Sequence, residues 1–486
     1  MVLLATVPNT PRNGTERVPL VVDLDGTLLR TNSLIESILP LLRMKPWTLL
    51  ALPLWCLKGR AYLKHRVAAA ATPDTHSLPF RAEVVEFLRE QKQQGRSLIL
   101  ATGADVKLAA AINGELGLFD GVMASDGHID LIGKNKRERL IASFGLQGFD
   151  YVGNDRRDGV WCAARRALLA SDSPGLAKSV RKVTPVEKIF KEPSTRWQDY
   201  LDALRPTHWV KNALLFVPLA AAHRVFEFDR LEHVALAFIA FDLCASGIYL
   251  LNDLLDLPAD RRHPHKKERM LASGRIPLTY ALLMIPLLML AAFGLALHVS
   301  IAFAGILGLY TALMIVYSMK LKDIPLVDVF VLAGGYALRV AAGGAAAQLR
   351  ISAWLLTLCV FLFFSLALIK RYAELIVLEA QPAAGAVRAR GYTSRDKVML
   401  VAQGITSGYL AVMVLALYTN TEISQRLYAR HDVFWGVCLL LLYWVSYVWM
   451  AALRGRIVGD PVMFALSDRV SRWTIVGMGL LAALSL

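Results

Sequence analysis

Beyond about residue 204 the chain carries long apolar runs, at 231–251, 276–299, 301–319, 326–347, 351–369, 398–418 and 433–453, with shorter ones at 209–222 and 473–486. A run of about 20 apolar residues crosses the hydrocarbon of a bilayer as a helix, because each backbone polar group is then satisfied within the segment. Nine candidate spans follow, seven of full length and two of about 14 residues that must tilt little or be re-entrant. Residues up to 204 instead alternate polar and apolar segments, as a soluble α/β domain does. The expected architecture is therefore multidomain: an N-terminal α/β domain, then an all-α polytopic membrane bundle.

The net charge of +15 does not point to nucleic acid, since the basic residues form no long run with interleaved aromatics. They lie between the apolar runs. With the N-terminus inside, the loops after spans 2, 4, 6 and 8 hold eighteen Lys and Arg and the opposite loops five. The positive-inside rule then predicts a multi-pass inner-membrane protein whose chemically suggestive loops share the cytoplasmic face with the N-terminal domain. The first eighteen residues lack the apolar core of a signal peptide. The five cysteines are scattered without ligand spacing, so neither a zinc site nor a disulfide framework is expected.

The inner end of span 2 reads NDLLDLPAD at 252–260. Asp253, Asp256 and Asp260 stand at i, i+3 and i+7, one face of a helix. Their mutual repulsion near a membrane is costly unless a hard divalent cation bridges them to diphosphate oxygens. Asn252 adds a neutral carbonyl. Pro258 lacks an N–H and is expected to kink or end the helix, which makes Asp260 the least secure of the three. The segment resembles the first Asp-rich motif, NDxxDxxxD, of the UbiA superfamily of intramembrane prenyltransferases. That resemblance implies a helical bundle, Mg²⁺ on the three aspartates and a diphosphate substrate.

Aromatic prenyltransferases of that family carry a second motif, DxxxD, after span 6, where this chain has KRYAEL at 370–375. Lys370 and Arg371 suit phosphate oxygens directly and would oppose a second divalent metal. Lys211, Lys320, Lys322 and Arg339 are further candidate substrate cations; Arg339, inside span 5, needs a substrate phosphate or Asp328 as its anionic partner. RPTHWVKN at 205–212, YSMKLK at 317–322, PLVDVF at 325–330 and GGYALRVAAGG at 334–344 complete a pattern similar to the decaprenylphosphate phosphoribosyltransferase branch. The resemblance implies transfer of 5-phosphoribose from phosphoribosyl diphosphate (PRPP) to a polyprenyl phosphate. Prenyl transfer to an aromatic acceptor, or a non-catalytic membrane scaffold carrying a phosphatase, are the alternatives.

In the N-terminal part, PLVVDLDGTL at 19–28 reads as a buried strand ending in two carboxylates spaced one apart. Asp23 can attack phosphorus and Asp25 protonate the leaving oxygen. The segment resembles motif I of the HAD phosphatases. The resemblance implies that Thr102, ending SLILATG at 97–103, holds a phosphoryl oxygen and that Lys136 neutralises the phosphoaspartate. Mg²⁺ would sit on Asp23 with Asp155 or Asp158 of FDYVGNDRRD at 149–158, although Asn154 stands where the family's first acid is expected. The predicted domains are a HAD-like domain at 1–175 with a helical cap at about 31–90, a basic linker at 176–200 lying along anionic headgroups, and the transferase domain at 201–486. The cap's apolar stretch at 47–57, too short to span, either rests on the membrane or forms ordinary cap core.

Overall fold

The computed structural model describes residues 18–486 apart from 45, 72, 157, 192–194, 264–265, 380–390 and 458. The chain divides into two compact units, residues up to 204 with 249–284, and 205–248 with 285–486.

The first unit is built on a six-stranded parallel sheet: β1 (Leu20–Val22), β2 (Leu98–Asp105), β3 (Gly121–Ser125), β4 (Asp150–Gly153), β5 (Ala167–Leu169) and β6 (Val186–Ile189), in the order β3-β2-β1-β4-β5-β6. Alternate residues of β1 serve opposite faces. Leu20 and Val22 pack with Val84, Leu88, Leu108 and Ile112, while Val21 packs with Leu140, Tyr151, Trp161 and Leu176. Between β1 and β2 lie helices α1 (Ser33–Met44), α2 (Leu52–Leu57), α3 (Arg60–Ala70) and α4 (Ala82–Gln93). Because α4 buries Val84, Val85 and Leu88 in the sheet's core, it packs with the sheet, although the cap was expected to extend to about residue 90. The crossovers after it use α5 (Val106–Leu116), α6 (Gly133–Phe144) and α7 (Pro174–Val180).

Two expectations change here. The segment expected as a linker at 176–200 instead contains the end of α7 and β6, which pairs in parallel with β5. The apolar stretch at 47–57 is not cap core: α2 buries nothing, and Trp47, Leu50, Leu54 and Leu57 are 63–85% exposed.

After α8 (Trp197–Ala203), the expected first span forms an eleven-residue 3-10 helix, Pro206–Phe216, and a short α9 (Val217–Ala221). Seven helices among the described residues are long and apolar enough to cross a membrane. They are α10 (Phe228–Leu255), α12 (Leu278–Val299), α13 (Ile301–Met319), α14 (Val327–Ala346), α15 (Ala353–Glu379), α16 (Lys397–Thr419) and α18 (His431–Leu453). Shorter pieces are α11 (Leu257–Arg262), α17 (Glu422–Leu427), α19 (Pro461–Ser467) and α20 (Arg469–Leu484); the last, at 16 residues, is the ninth expected span. In the second unit small residues let helices approach: Gly343 of α14 meets the Leu215 carbonyl, and Gly404 of α16 meets the Trp449 ring. Large apolar side chains such as Leu287, Leu290 and Leu439 point outward, which is unfavourable in water and not in lipid.

Polar contacts join 249–284 to the rest of the first unit. Arg261 forms two bonds to the buried Glu36 of α1, Arg262 pairs with Asp74, Thr195 donates to the Arg275 carbonyl and Tyr280 to that of Tyr200.

Candidate active sites

The strand order reverses between β1 and β4, and in open parallel sheets ligands bind beyond the carboxyl ends of the strands at such a switch point. Asp23 and Asp25 follow β1 there, and Asn154 and Asp155 follow β4. Gly26 takes φ +71°, and a Cβ on it would stand 2.1 Å from the Asn154 amide nitrogen, so only glycine lets the two loops meet. Lys136, almost wholly buried, donates to Asp23 Oδ1 at 2.7 Å and to the Tyr151 hydroxyl at 2.8 Å, and Tyr151 donates to Asp158. The Ser33 N–H and hydroxyl, at the start of α1, hold the Asp25 carboxyl at 2.6 and 3.0 Å. Burial pushes that carboxyl up to about 6, against the Ser33 hydrogen bonds and with help from Asp23. A carboxyl that keeps its proton near neutrality can donate it to a leaving oxygen.

Asp23, Asp25, Gly26, Lys136 and Asn154 line a cavity of about 790 Å³ together with Arg30, Arg60, Lys64, Gly103, Asp155 and Asp158. Thr102 is not among the lining residues; it is fully buried, and its hydroxyl accepts the Ala104 N–H at 3.0 Å. Of the two acids expected to complete a metal site, Asp158 is engaged by Tyr151, with Lys136 at 3.7 Å, while Asp155 stands exposed at the cavity. Asn154 keeps an oxygen ligand where an acid was expected, its Oδ1 accepting from Thr27 at 3.2 Å. The oxygens of Asp23, Asn154 and Asp155 are the hard donors Mg²⁺ takes. Sequence reading missed Tyr151 and Lys64. The latter ties the cap to the sheet through the Gly103 carbonyl at 2.8 Å and Asp130 at 2.7 Å.

The carboxylate motif lies at the end of α10. The helix stops at Leu255 and α11 starts at Leu257, with Pro258 in its first turn, where a missing N–H costs nothing. The break is mild. Asp256 N–H still reaches the Asn252 carbonyl at 2.9 Å, and Asp260 N–H reaches that of Asp256 at 2.8 Å. Asp253 and Asp260, both buried, therefore converge on one guanidinium: Arg269 Nη1 is 3.2 Å from the first and 2.5 Å from the second. Asp260, which Pro258 put in doubt, thus shares a cation with Asp253. The three aspartates do not close into one three-ligand cluster among the described residues. Two convergent carboxylates suit a hard divalent cation, with Asp256 half-buried at the turn beside them.

In the second unit, Lys211 of the 3-10 helix and Lys370 of α15 meet at Asp460, 2.5 and 3.8 Å from its Oδ2. Burial alone would raise the Asp460 carboxyl, but Lys370 and Lys211 outweigh it and hold the group at about 2. Asp460 also caps α19 through the Val462 N–H, the only role its Asp-Pro sequence suggests. Arg371, expected beside Lys370 as a phosphate ligand, is instead wholly buried. Its guanidinium is taken by Asp328, by Glu374 at 2.5 Å and by the Tyr317 hydroxyl at 3.1 Å, and Tyr392 donates to Asp328 at 2.6 Å.

Asp328 is therefore not the partner of Arg339. That guanidinium donates to Asn212 Oδ1 at 2.6 Å, the Tyr310 hydroxyl at 2.8 Å and the Gly335 carbonyl at 2.8 Å, among the rings of Phe241, Tyr310 and Tyr336. Asn212 in turn donates to Asp242 at 2.6 Å, so its amide bridges the guanidinium and a carboxyl. Lys322 is buried in the turn after α13, and Lys320 is exposed beside it. Of the expected cations, the structure gathers Lys211 and Lys370 and commits Arg339 and Arg371 to the fold.

Residues 213–467 match the UbiA prenyltransferase family. The chain belongs to this family. A relative from Sinorhizobium fredii named as uncharacterized protein y4nM is 33% identical over 463 residues, 94% of this chain and 89% of that protein. The nodulation protein NoeC of Azorhizobium caulinodans is 34% identical over 58% of this chain and 91% of its own. A decaprenyl-phosphate phosphoribosyltransferase of Mycolicibacterium smegmatis is 31% identical over 56% of this chain and 86% of its own. A solved UbiA homolog from Archaeoglobus fulgidus bound to GPP and Mg²⁺ covers 59% of this chain at 17% identity, with a TM-score of 0.43. The protein is thus a UbiA-type, multi-pass membrane transferase related to decaprenyl-phosphate phosphoribosyltransferases.

Proposed function

We propose that this protein transfers 5-phosphoribose from PRPP to a polyprenyl phosphate, releasing diphosphate, and that its α/β unit is a HAD-type phosphatase that removes the 5-phosphate. The product is polyprenyl-phosphoryl-ribose, of the kind that feeds arabinofuranose donors, and both steps belong on the cytoplasmic face of the inner membrane. The transfer half is carried by Lys211 and Lys370 on Asp460, fixed cations where a second metal motif would serve a prenyl diphosphate. The names of the mycobacterial and corynebacterial relatives support it.

Asp253 and Asp260, with Asp256 and Asn252 beside them, would hold Mg²⁺, which supplies positive charge to the departing diphosphate. A lipid phosphate oxygen attacks C1 of the ribose as the bond from C1 to the diphosphate oxygen breaks. The attacking group is already an anion, so no general base is required. Lys211 and Lys370 exchange part of their contact with Asp460 for substrate phosphate, and Asp460 keeps them in place between turnovers.

In the α/β unit, an Asp23 oxygen attacks the 5-phosphorus while Asp25 gives its proton to the departing ribose oxygen; water then cleaves the aspartyl phosphate with Asp25 as base. Mg²⁺ on Asp23, Asn154 and Asp155 would offset the phosphate charge alongside Lys136. A lipid-borne substrate is favoured by the cavity wall, which includes Pro277, Leu278 and Thr279 at the start of a membrane-length helix, and by the exposed Trp47, Leu50, Leu54 and Leu57 on the cap.

The test uses PRPP labelled in the ribose and in the 5-phosphate, with polyprenyl phosphate and the full-length protein. Wild type should yield lipid-linked ribose without the 5-phosphate, and Asp23→Asn should yield lipid that retains it. Lipid from Asp23→Asn that still lacks the 5-phosphate refutes the phosphatase assignment. Failure of wild type to label lipid from PRPP, with activity on a prenyl diphosphate instead, refutes the transferase assignment.

A further inference from the structure

Two of the four cations that line the phosphatase cavity have no part in its chemistry. Lys136 is spent on Asp23, Tyr151 and Asp158, and Lys64 on Asp130 and the Gly103 carbonyl. Arg30 and Arg60 also line the cavity, and neither is paired with a carboxylate among the described residues. Arg60 is exposed at the start of α3 on the cap. Arg30 is held tightly. Its Cβ lies 3.0 Å from where a Cβ on Gly274 would stand, Gly274 takes φ +70°, and Arg30 Nη1 donates to the Ser273 carbonyl at 3.3 Å. Its Nε is nevertheless buried without a hydrogen-bond partner. Arg30 is thus fixed in the cavity wall by its stem and by Nη1, and the rest of its guanidinium suits an anion bound in the cavity.

Two further features of the same wall fit an anion. Leu278 and Thr279 form the first turn of the 22-residue α12, where backbone N–H groups lack intrahelical acceptors and the helix dipole favours negative charge. The cavity volume of about 790 Å³ is that of a site for a whole small-molecule headgroup rather than a single phosphate.

We propose that Arg30, Arg60 and the first turn of α12 form a second phosphate subsite, so that the cavity selects a sugar carrying two phosphate groups. Asp23 works on the terminal monoester, and the subsite holds the phosphate on the far side of the sugar. This rests on the phosphatase reading and narrows its substrate class: a bis-phosphorylated pentose headgroup is preferred over a soluble sugar monophosphate. Arg30 and Arg60 come from the N-terminal part of the chain and the first turn of α12 from the segment that follows Asp260, so both parts of the sequence contribute to the subsite.

The experiment uses full-length protein in nanodiscs with two soluble probes, ribose 1,5-bisphosphate and ribose 5-phosphate. Binding is measured in the Asp23→Asn background, and phosphate release in the wild-type background. Asp23→Asn should bind the bisphosphate at least about ten-fold more tightly, the worth of one charge-assisted contact. Adding Arg60→Gln, whose exposed side chain the fold does not need, should bring the ratio to within about three-fold of unity, and Arg30→Gln should do the same. Equal affinities in the Asp23→Asn protein, or a preference that neither arginine change moves, overturns the subsite. A preference that collapses with Arg60→Gln, while wild type releases no phosphate from either probe, leaves the subsite standing and removes the phosphatase assignment.

Discussion

Replacing Arg261 by Met tests how the carboxylate motif is coupled to helix α1. Arg261 is on α11, one residue after Asp260, and makes parallel bonds of 3.0 and 2.7 Å to Glu36 on α1; the two side chains are only 7% and 4% exposed. Arg261 Nε also donates to the Ala272 carbonyl at 3.1 Å, and the Thr31 hydroxyl donates to Glu36 at 2.7 Å. With so little solvent to screen it, removal of the arginine strands a carboxylate that keeps one neutral donor, and breaking such a pair costs about 3–5 kcal/mol. Arg261→Met and Glu36→Met should each lose that much, whereas the double variant, with both charges gone, should lie within about 2 kcal/mol of wild type. Native-state hydrogen exchange followed by mass spectrometry reads the effect locally. Amides of 33–44 and 257–262 should exchange at least about a hundred-fold faster in each single variant. A loss below about five-fold in the singles, typical of exposed pairs, or a double variant that loses the sum of both, would refute the reasoning.

Asp253→Asn and Asp260→Asn, and separately removal of divalent cations with a chelator, should each lower ribosyl transfer by about a hundred-fold or more in a labelled-PRPP assay. Arg371→Met should lower the thermal midpoint in detergent, because Asp328 and Glu374 lose a buried partner at about 3–5 kcal/mol. Lys370→Gln should leave the midpoint near that of wild type and instead raise the KM for PRPP or lipid phosphate. Gly343→Ala would set a Cβ 2.0 Å from the Leu215 carbonyl oxygen and should cost about 1–3 kcal/mol. Gly334→Ala on the same helix meets nothing within 4 Å and should stabilise by about 0.5–1 kcal/mol, both read as shifts in thermal midpoint.

The seven long spans were legible because hydrophobicity over 20 residues is a local property. The short run at 209–222 misled, since apolar composition does not distinguish a 3-10 helix from an α-helix and prolines stand at 206 and 218. Strand β6 was hidden for a similar reason. An edge strand reading VEKI, half-buried at its ends and exposed between, shows no alternation to find. The DxD strand end and the NDxxDxxxD helix end were legible as candidate sites because their acids lie within a few residues of one another, although Asp253 and Asp260 fall on successive helices.

What each charged side chain faces was not written locally. Lys370 and Arg371 are neighbours, yet successive helix positions point about 100° apart, so one reaches Asp460 and the other is sealed against Asp328. Arg339, a candidate phosphate ligand by sequence, is held instead by Asn212 and Tyr310. Arg269, Glu36 and Asp460 carried no motif at all. Composition and spacing therefore located the seven long helices and marked the acids at the two candidate sites, while partners up to 249 residues apart in the chain decided which cations are committed to the fold. Periodicity within an element is encoded in neighbouring residues, and the orientation of one element toward another arises only when the chain packs.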